Sequence, residues 1–142
     1  MEPKRTGTVG ESVVICEFAK RGIPIYLPFG DNEKIDLLAD FNHTFNRIQI
    51  KTVTEHNGEV YTVDLRSCKN HKTVPETYHY TKEDIDYYAV VCLSRNSVCL
   101  IPVEDAPSSD ITIRFGGEPK NKQKKFIRYE KDYLIDNFIK ND

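Results

Sequence analysis

The sequence predicts an α/β fold built on a mixed sheet flanked by helices. Three observations carry this. A helical apolar stripe near the start is followed by three strand-like segments. Two strongly apolar segments, YAVVCL and SVCLIPV, come later and read as buried strands. An amphipathic segment, YEKDYLIDNFIK, closes the chain. At 142 residues the chain suits one domain with a genuine core.

The first element reads as a helix from about Thr8 to Lys20, with Val14, Ile15, Phe18 and Ala19 on one side. Gly22 closes it as a C′ glycine. Glu11 precedes Val14, Ile15 and Phe18 by three, four and seven residues, which places a carboxylate on the inward stripe. It either serves the helix start, through capping or the dipole, or belongs to a site.

Three strands follow: IPIYLPFG, KIDLLADF and RIQIKTVT. Pro24 and Pro28 put the first at an edge. Asn57-Gly58 is a strong hairpin signal. Counting outward from it pairs Val53 with Thr62, Lys51 with Asp64, Ile50 with Leu65 and Gln49 with Arg66. That register puts Ile48, Ile50, Val63 and Leu65 on one face, and Gln49, Lys51, Thr62, Asp64 and Arg66 on the other. Thr81 then opens a short helix as its N-cap, followed by acids. YAVVCL, SVCLIPV and DITIRF supply further strands. The last segment forms a helix with Ile135, Phe138 and Ile139 on one side, a face that serves either core packing or an oligomer interface.

Composition narrows the function classes. The chain is 39% hydrophobic and 30% charged, and no apolar run is long enough to cross a bilayer. MEPKRTGTVGES lacks an apolar h-region, so a cytoplasmic protein is expected. Cys16, Cys68, Cys92 and Cys99 form no CxxC pair and read as buried free thiols. His43, His56, His71 and His79 lack zinc-ligand spacing. Net charge is -2, so there is no global basic field. Basic residues nevertheless gather locally: Lys4 and Arg5; Arg66, Lys69, His71 and Lys72; and Lys120, Lys122, Lys124 and Lys125. Such segments either neutralise phosphates or form solvated loops.

Glu11, Asp36, Gln49 and Lys51 are polar where plain packing does not require it. A turn between the second and third strands makes Asp36 a neighbour of Gln49 and Lys51, and the first helix brings Glu11 to the same place. Two carboxylates and a neutral oxygen suit Mg²⁺, which takes hard ligands and retains water. A lysine beside them can orient an attacking water and offset charge developing on a phosphoryl oxygen.

Asp36 followed by Gln49-x-Lys51, with Glu11 on the preceding helix, resembles the PD-(D/E)xK nuclease superfamily. The ordered segments from GTVGESVVICEFAKRGIPIYLPFG through RIQIKTV, VYTVDLRS, DIDYYAVVC and SVCLIPV are most similar to its group I intron-encoded homing endonucleases, over about residues 6 to 105. The resemblance implies a restriction-endonuclease-like mixed β-sheet core (αβββ…αβ) with an added β-hairpin and C-terminal helix. It divides the single domain into a core of about 6–105 and an extension, 106–142, for DNA binding or oligomerisation. It implies hydrolysis of double-stranded DNA with Mg²⁺, with Mn²⁺ as an alternative and Ca²⁺ as a non-catalytic substitute. Glu11, Asp36, Gln49 and Lys51 become catalytic residues. Glu11, Asp36, Gln49 and the Ile50 carbonyl become metal ligands. DNA contacts fall to Lys4, Arg5, Arg66, Ser67, Lys69, His71, Lys72, Lys120, Lys122, Lys124 and Lys125. Cutting both strands calls for a homodimer or homotetramer. A Holliday-junction resolvase and a non-catalytic DNA-binding module are the alternatives. Two departures stand out: KID replaces PD, and Gln49 replaces the acid of ExK, which removes a charge from the metal site. The superfamily's homing and resolvase-related branches include glutamine at this position.

Overall fold

The computed structural model describes residues 1–30, 34–69, 76–119 and 126–140, with backbone alone at 68, 69, 76 and 77. Helix α1 spans Pro3–Lys20, so it begins at Pro3 rather than near Thr8. Pro3 is pre-organised for a first turn, and the Thr6 and Thr8 hydroxyls bond back to the carbonyls of Glu2 and Lys4. Apolar periodicity misses these turns because they do not face the core. The C-terminus is a Schellman motif: Gly22 takes φ +67°, its N–H bonds the Ala19 carbonyl (3.0 Å), and the Ile23 N–H bonds that of Phe18 (3.0 Å). Val14 and Phe18 are fully buried, whereas Ala19 and Cys16 are exposed. Cys16 therefore departs from the buried-thiol expectation, and Cys92 and Cys99 follow it.

The main sheet contains β1 (Ile25–Tyr26), β2 (Leu37–Phe41), β3 (Thr44–Val53), β7 (Tyr87–Cys92) and β8 (Ser97–Pro102), in that spatial order. Strand β1 is short and lies at the edge, as its flanking prolines require. β2 and β3 join through Asn42 and His43, whose φ values of +57° and +60° form a two-residue hairpin turn. The buried Asn46 amide secures it with hydrogen bonds to the Ala39, Phe41 and Thr44 carbonyls. β3 and β7 run parallel, with Ile50 opposite Ala89, and β8 returns antiparallel. The sheet is therefore mixed, and its architecture is that of a restriction-endonuclease-like fold.

A second sheet holds β4 (Val60–Asp64), β9 (Asp110–Arg114) and β10 (Arg128–Tyr129), in the order β10-β9-β4. A separate ribbon pairs β5 (Ser67–Lys69) with β6 (Glu76–Tyr78). The hairpin register counted from Asn57-Gly58 is not formed. Asn57 does turn the chain, its Oδ1 accepting from the Glu59 and Val60 N–H groups, but β4 pairs with β9 instead of β3. The reason is two-sided burial. β7 and β8 are apolar on both faces, so each face needs a cover. α1 covers one, against Ile48, Ile50, Ala89, Val91 and Leu100. Tyr61, Val63, Leu65, Ile111 and Ile113 cover the other, against Tyr88, Val90 and Ile101. Val63 and Leu65 thus lie across the sheet from Ile48 and Ile50.

Two predicted helices are also corrected. Residues 82–84 form only a turn; the Thr81 N–H and the Asp84 carboxylate bond at its mouth (3.0 Å). The C-terminal segment splits into α2 (Glu130–Tyr133) and a 3₁₀ turn (Ile135–Asn137). Leu134 between them is extended and bridges Cys99, where it shields the edge of β8. Ile135 is buried in the α1-side core, and Phe138 and Ile139 pack against it, so this face is core and not an interface. β9 and Ile135 carry the packed core beyond residue 105.

Candidate active site

The site arises where β2 and β3 part. Their ladder ends at Leu37 opposite Ile48, while β3 continues to Val53. Asp36 caps this end. Its N–H bonds the Ile48 carbonyl (2.8 Å), and its Oδ2 accepts from the Ile50 N–H (2.7 Å). In an extended strand the N–H and C=O of one residue leave by the same edge, so the Ile50 carbonyl also faces this opening. The free edge of β3 borders a cleft of about 520 Å³, with Thr6, Gly7 and Glu11 on the α1 side and Asp36, Gln49, Ile50 and Lys51 on the sheet side.

Glu11 reaches the cleft because α1 lies close to β3. Gly10 is buried against Thr52, where a Cβ would stand 2.9 Å from the Thr52 Cβ and Cγ2. Since the helix starts at Pro3 and has no acid in its first turn, Glu11 sits mid-helix, and the capping reading falls away. Burial raises the Glu11 pKa and the nearby Asp36 charge raises it further. Burial likewise raises Asp36, against the lowering effects of the Ile50 N–H and the Lys51 charge. Burial lowers Lys51, opposed by Asp36 and Asp64. The Lys51 ammonium donates to the Arg66 carbonyl (3.1 Å) and to Ser67 Oγ (3.2 Å). Of its three N–H bonds, one is left for the cleft.

Two carboxylates, an amide oxygen and a backbone carbonyl form a donor set suited to a hard divalent cation. The structural test of that fit is Gln49 Oε1, which is buried with no hydrogen-bond partner among the described protein atoms. A buried acceptor left unpaired is costly, and a cation at the cleft would satisfy it. Among the described residues no group of three or more His, Cys, Asp or Glu could hold a metal, so this set depends on Gln49 and the carbonyl to complete it.

Glu11, Asp36, Gln49, Ile50 and Lys51 therefore meet at one cleft. The expected DNA contacts are more dispersed. Lys4 shares a helical stripe with Gly7 and Glu11, and Arg5 stands about 100° round the helix from it; both are exposed. Arg66 does not share a strand face with Gln49 and Lys51. Its guanidinium pairs with Asp64 through two contacts (3.0 and 3.1 Å), and its carbonyl serves Lys51. Ser67 also serves Lys51, and Lys69 is described by its backbone alone. His71, Lys72, Lys120, Lys122, Lys124 and Lys125 lie outside the described residues. Sequence reasoning missed Gly10 and Thr52, although a glycine within a helical stripe is itself a sign of close backbone approach.

The PD-(D/E)XK endonuclease family model matches residues 1–136. The chain is 30% identical over 89 residues to Protein 5.3 of Escherichia phage T7, a match covering 61% of this chain and 70% of that protein. It is similar in structure to a bacterial homing endonuclease, I-Ssp6803I, with a TM-score of 0.73 and 20% identity, over 94% of this chain and 89% of the other. At that identity the likeness shows the fold.

Proposed function

Because the chain belongs to the PD-(D/E)XK endonuclease family and is a nuclease of that type, we propose that it is a Mg²⁺-dependent, site-specific endonuclease of double-stranded DNA, acting in the cytoplasm as an intron-homing enzyme. None of its described helices is long and apolar enough to cross a membrane. The observation that carries the reading is the unpartnered Gln49 Oε1 beside Asp36 and Glu11 at the open end of the β2–β3 ladder.

In this reading Glu11, Asp36, Gln49 Oε1 and the Ile50 carbonyl hold the cation. Bound there, it supplies Lewis acidity at the phosphoryl oxygen and a more acidic water. Asp36 is fixed for this role by the Ile50 N–H, which occupies one of its oxygens and leaves the other to the cleft. The third N–H of Lys51 orients the attacking water and offsets charge building on the phosphoryl group. Lys4, on the helical stripe of Gly7 and Glu11, and Arg66 contact phosphates. Arg66 first leaves Asp64, an exposed pair that solvent and salt screen.

Two nicks require two sites, so the active form is a homodimer or homotetramer. The exposed apolar residues Tyr26, Leu27, Phe29 and Phe45 around β1 are the surface we assign to that contact. Leu27→Glu with Phe29→Glu tests this: the variant should sediment as a monomer, and an unchanged mass places the contact elsewhere.

Wild type with Mg²⁺ is expected to cut linear duplex carrying its insertion site, and Lys51→Ala and Asp36→Ala to abolish cutting while retaining DNA binding in Ca²⁺. Cutting of four-way junctions alone would identify a resolvase. The neutral Gln49 favours a second reading, a non-catalytic DNA-binding module. That reading wins if wild type cuts neither substrate with Mg²⁺ or Mn²⁺.

A further inference from the structure

A row of hydroxyl groups stands behind the Lys51 ammonium, on the side away from the cleft. An ammonium can only donate, so Ser67 Oγ accepts from Lys51 and its own proton is free for another acceptor. The Tyr80 hydroxyl lies against Ser67, and the Tyr78 hydroxyl is 3.2 Å from that of Tyr80. Ser67 therefore stands between Lys51 and the Tyr80–Tyr78 pair, in which either hydroxyl can donate to the other. The row is anchored at both ends. Ser67 and Tyr78 oppose each other in the β5–β6 ribbon. Tyr80 is buried, and its N–H bonds the hydroxyl of Tyr88 (3.2 Å), a fully buried residue of β7.

Lys51 needs such a restraint. Its four-carbon stem leaves the charge free to swing, and both Asp36 and Asp64 attract it. A swing to Asp36 would engage the carboxylate that the cation requires. We propose that Ser67 and Tyr80 are positioning residues for DNA cleavage: with the Arg66 carbonyl they hold two of the three N–H bonds of Lys51, keep the ammonium off Asp36, and leave the third N–H to the cleft. This rests on the nuclease reading above.

The test is single-turnover cleavage of duplex DNA in Mg²⁺, alongside DNA affinity in Ca²⁺. Ser67→Ala should slow cleavage by about 10- to 100-fold at saturating enzyme, as expected for a misplaced catalytic group. Affinity should stay within about twofold. Ser67→Thr, which restores the hydroxyl, should recover most of the rate. Tyr80→Phe should slow cleavage by a smaller factor, about 3- to 10-fold. An unchanged rate in Ser67→Ala overturns the proposal. So does lost affinity with an intact rate at saturation, which would make Ser67 a DNA contact. If wild type cuts no DNA, the nuclease reading fails separately, and crystal structures of wild type and Ser67→Ala decide the positioning. Lys51 Nζ moving toward Asp36 in the variant supports it, and Nζ staying on the Arg66 carbonyl overturns it.

Discussion

Gly10→Ala sets two physical effects of opposite sign against each other. Alanine is the better helix former, and at an exposed position the change would stabilise by about 1 kcal/mol. Gly10, however, is buried against β3, where the new methyl would overlap Thr52 Oγ1 and stand 2.9 Å from Thr52 Cβ and Cγ2. Rotation about χ1 cannot clear the Cβ contact, so α1 must lift from the sheet. Overpacking of this kind costs about 1–3 kcal/mol, and contact with three atoms of a stiff, β-branched side chain argues for the upper part of that range. The net expectation is a loss of about 1–2 kcal/mol, or about 3–8 °C in Tm for a chain of this size. The adjacent Glu11 moves with the helix, and a shift near 1 Å at a reacting group can cost about 100-fold in rate. Thermal melts and single-turnover cleavage read the two effects. Thr52→Ala removes the Oγ1 and Cγ2 overlaps but keeps the Cβ, so Gly10→Ala should be less harmful, though not neutral, in that background. A Gly10→Ala variant that melts higher than wild type and cuts normally would refute the argument that close packing here places Glu11.

Gln49→Glu adds a charge to the donor set and should tighten Mn²⁺ or Ca²⁺ binding by about tenfold in calorimetry; unchanged affinity would remove Gln49 from the ligands. Asn46→Ala deprives the Ala39, Phe41 and Thr44 carbonyls of their shared donor and should cost about 2–3 kcal/mol in urea unfolding, with little loss if the β2–β3 turn holds without it. At Glu130, burial pushes the carboxyl pKa up, but the Arg95 guanidinium together with the neighbouring Ser97 and Tyr61 hydroxyls outweighs this and holds it below the ordinary 4.5. A depressed folded pKa gives stability that is complete above the unfolded value and is lost as pH falls through the folded one. Glu130→Gln should therefore lose about 1.5–3 kcal/mol at pH 7. The gap to wild type should narrow below about pH 4.5. A gap constant with pH would assign the loss to packing.

The candidate site was legible in the sequence because its residues break patterns that packing alone would keep. Asp36 interrupts an apolar run, Gln49 and Lys51 take the polar side of an alternating strand, and Glu11 sits on an inward stripe. Capping suits Glu11 only in a helix that begins near Thr8; the Pro3 start, invisible to apolar periodicity, removes that role. The Asn57-Gly58 register failed for a different reason. A turn signal says that the chain reverses, not which strand it then meets, and the doubly buried β7 and β8 drew β4 into another layer. The C-terminal helix failed likewise: its apolar spacing is real and Ile135 is buried, but pairing Leu134 with the β8 edge outweighed continuing one helix.

Local order, then, is what this sequence determines by itself: the alternation of β3, the Gly22 helix stop, the two-sided strands β7 and β8, and the polar residues that intrude on them. These depend on periods of 2 and 3.6 residues and on single-residue backbone preferences, which neighbours in sequence reveal. Only the tertiary structure decided that β4 crosses to a second sheet, that α1 approaches β3 closely enough at Gly10 to deliver Glu11, and that Ser67 stands behind Lys51. Those outcomes depend on which apolar faces compete for cover and on contacts between residues far apart in sequence, and no local pattern encodes either.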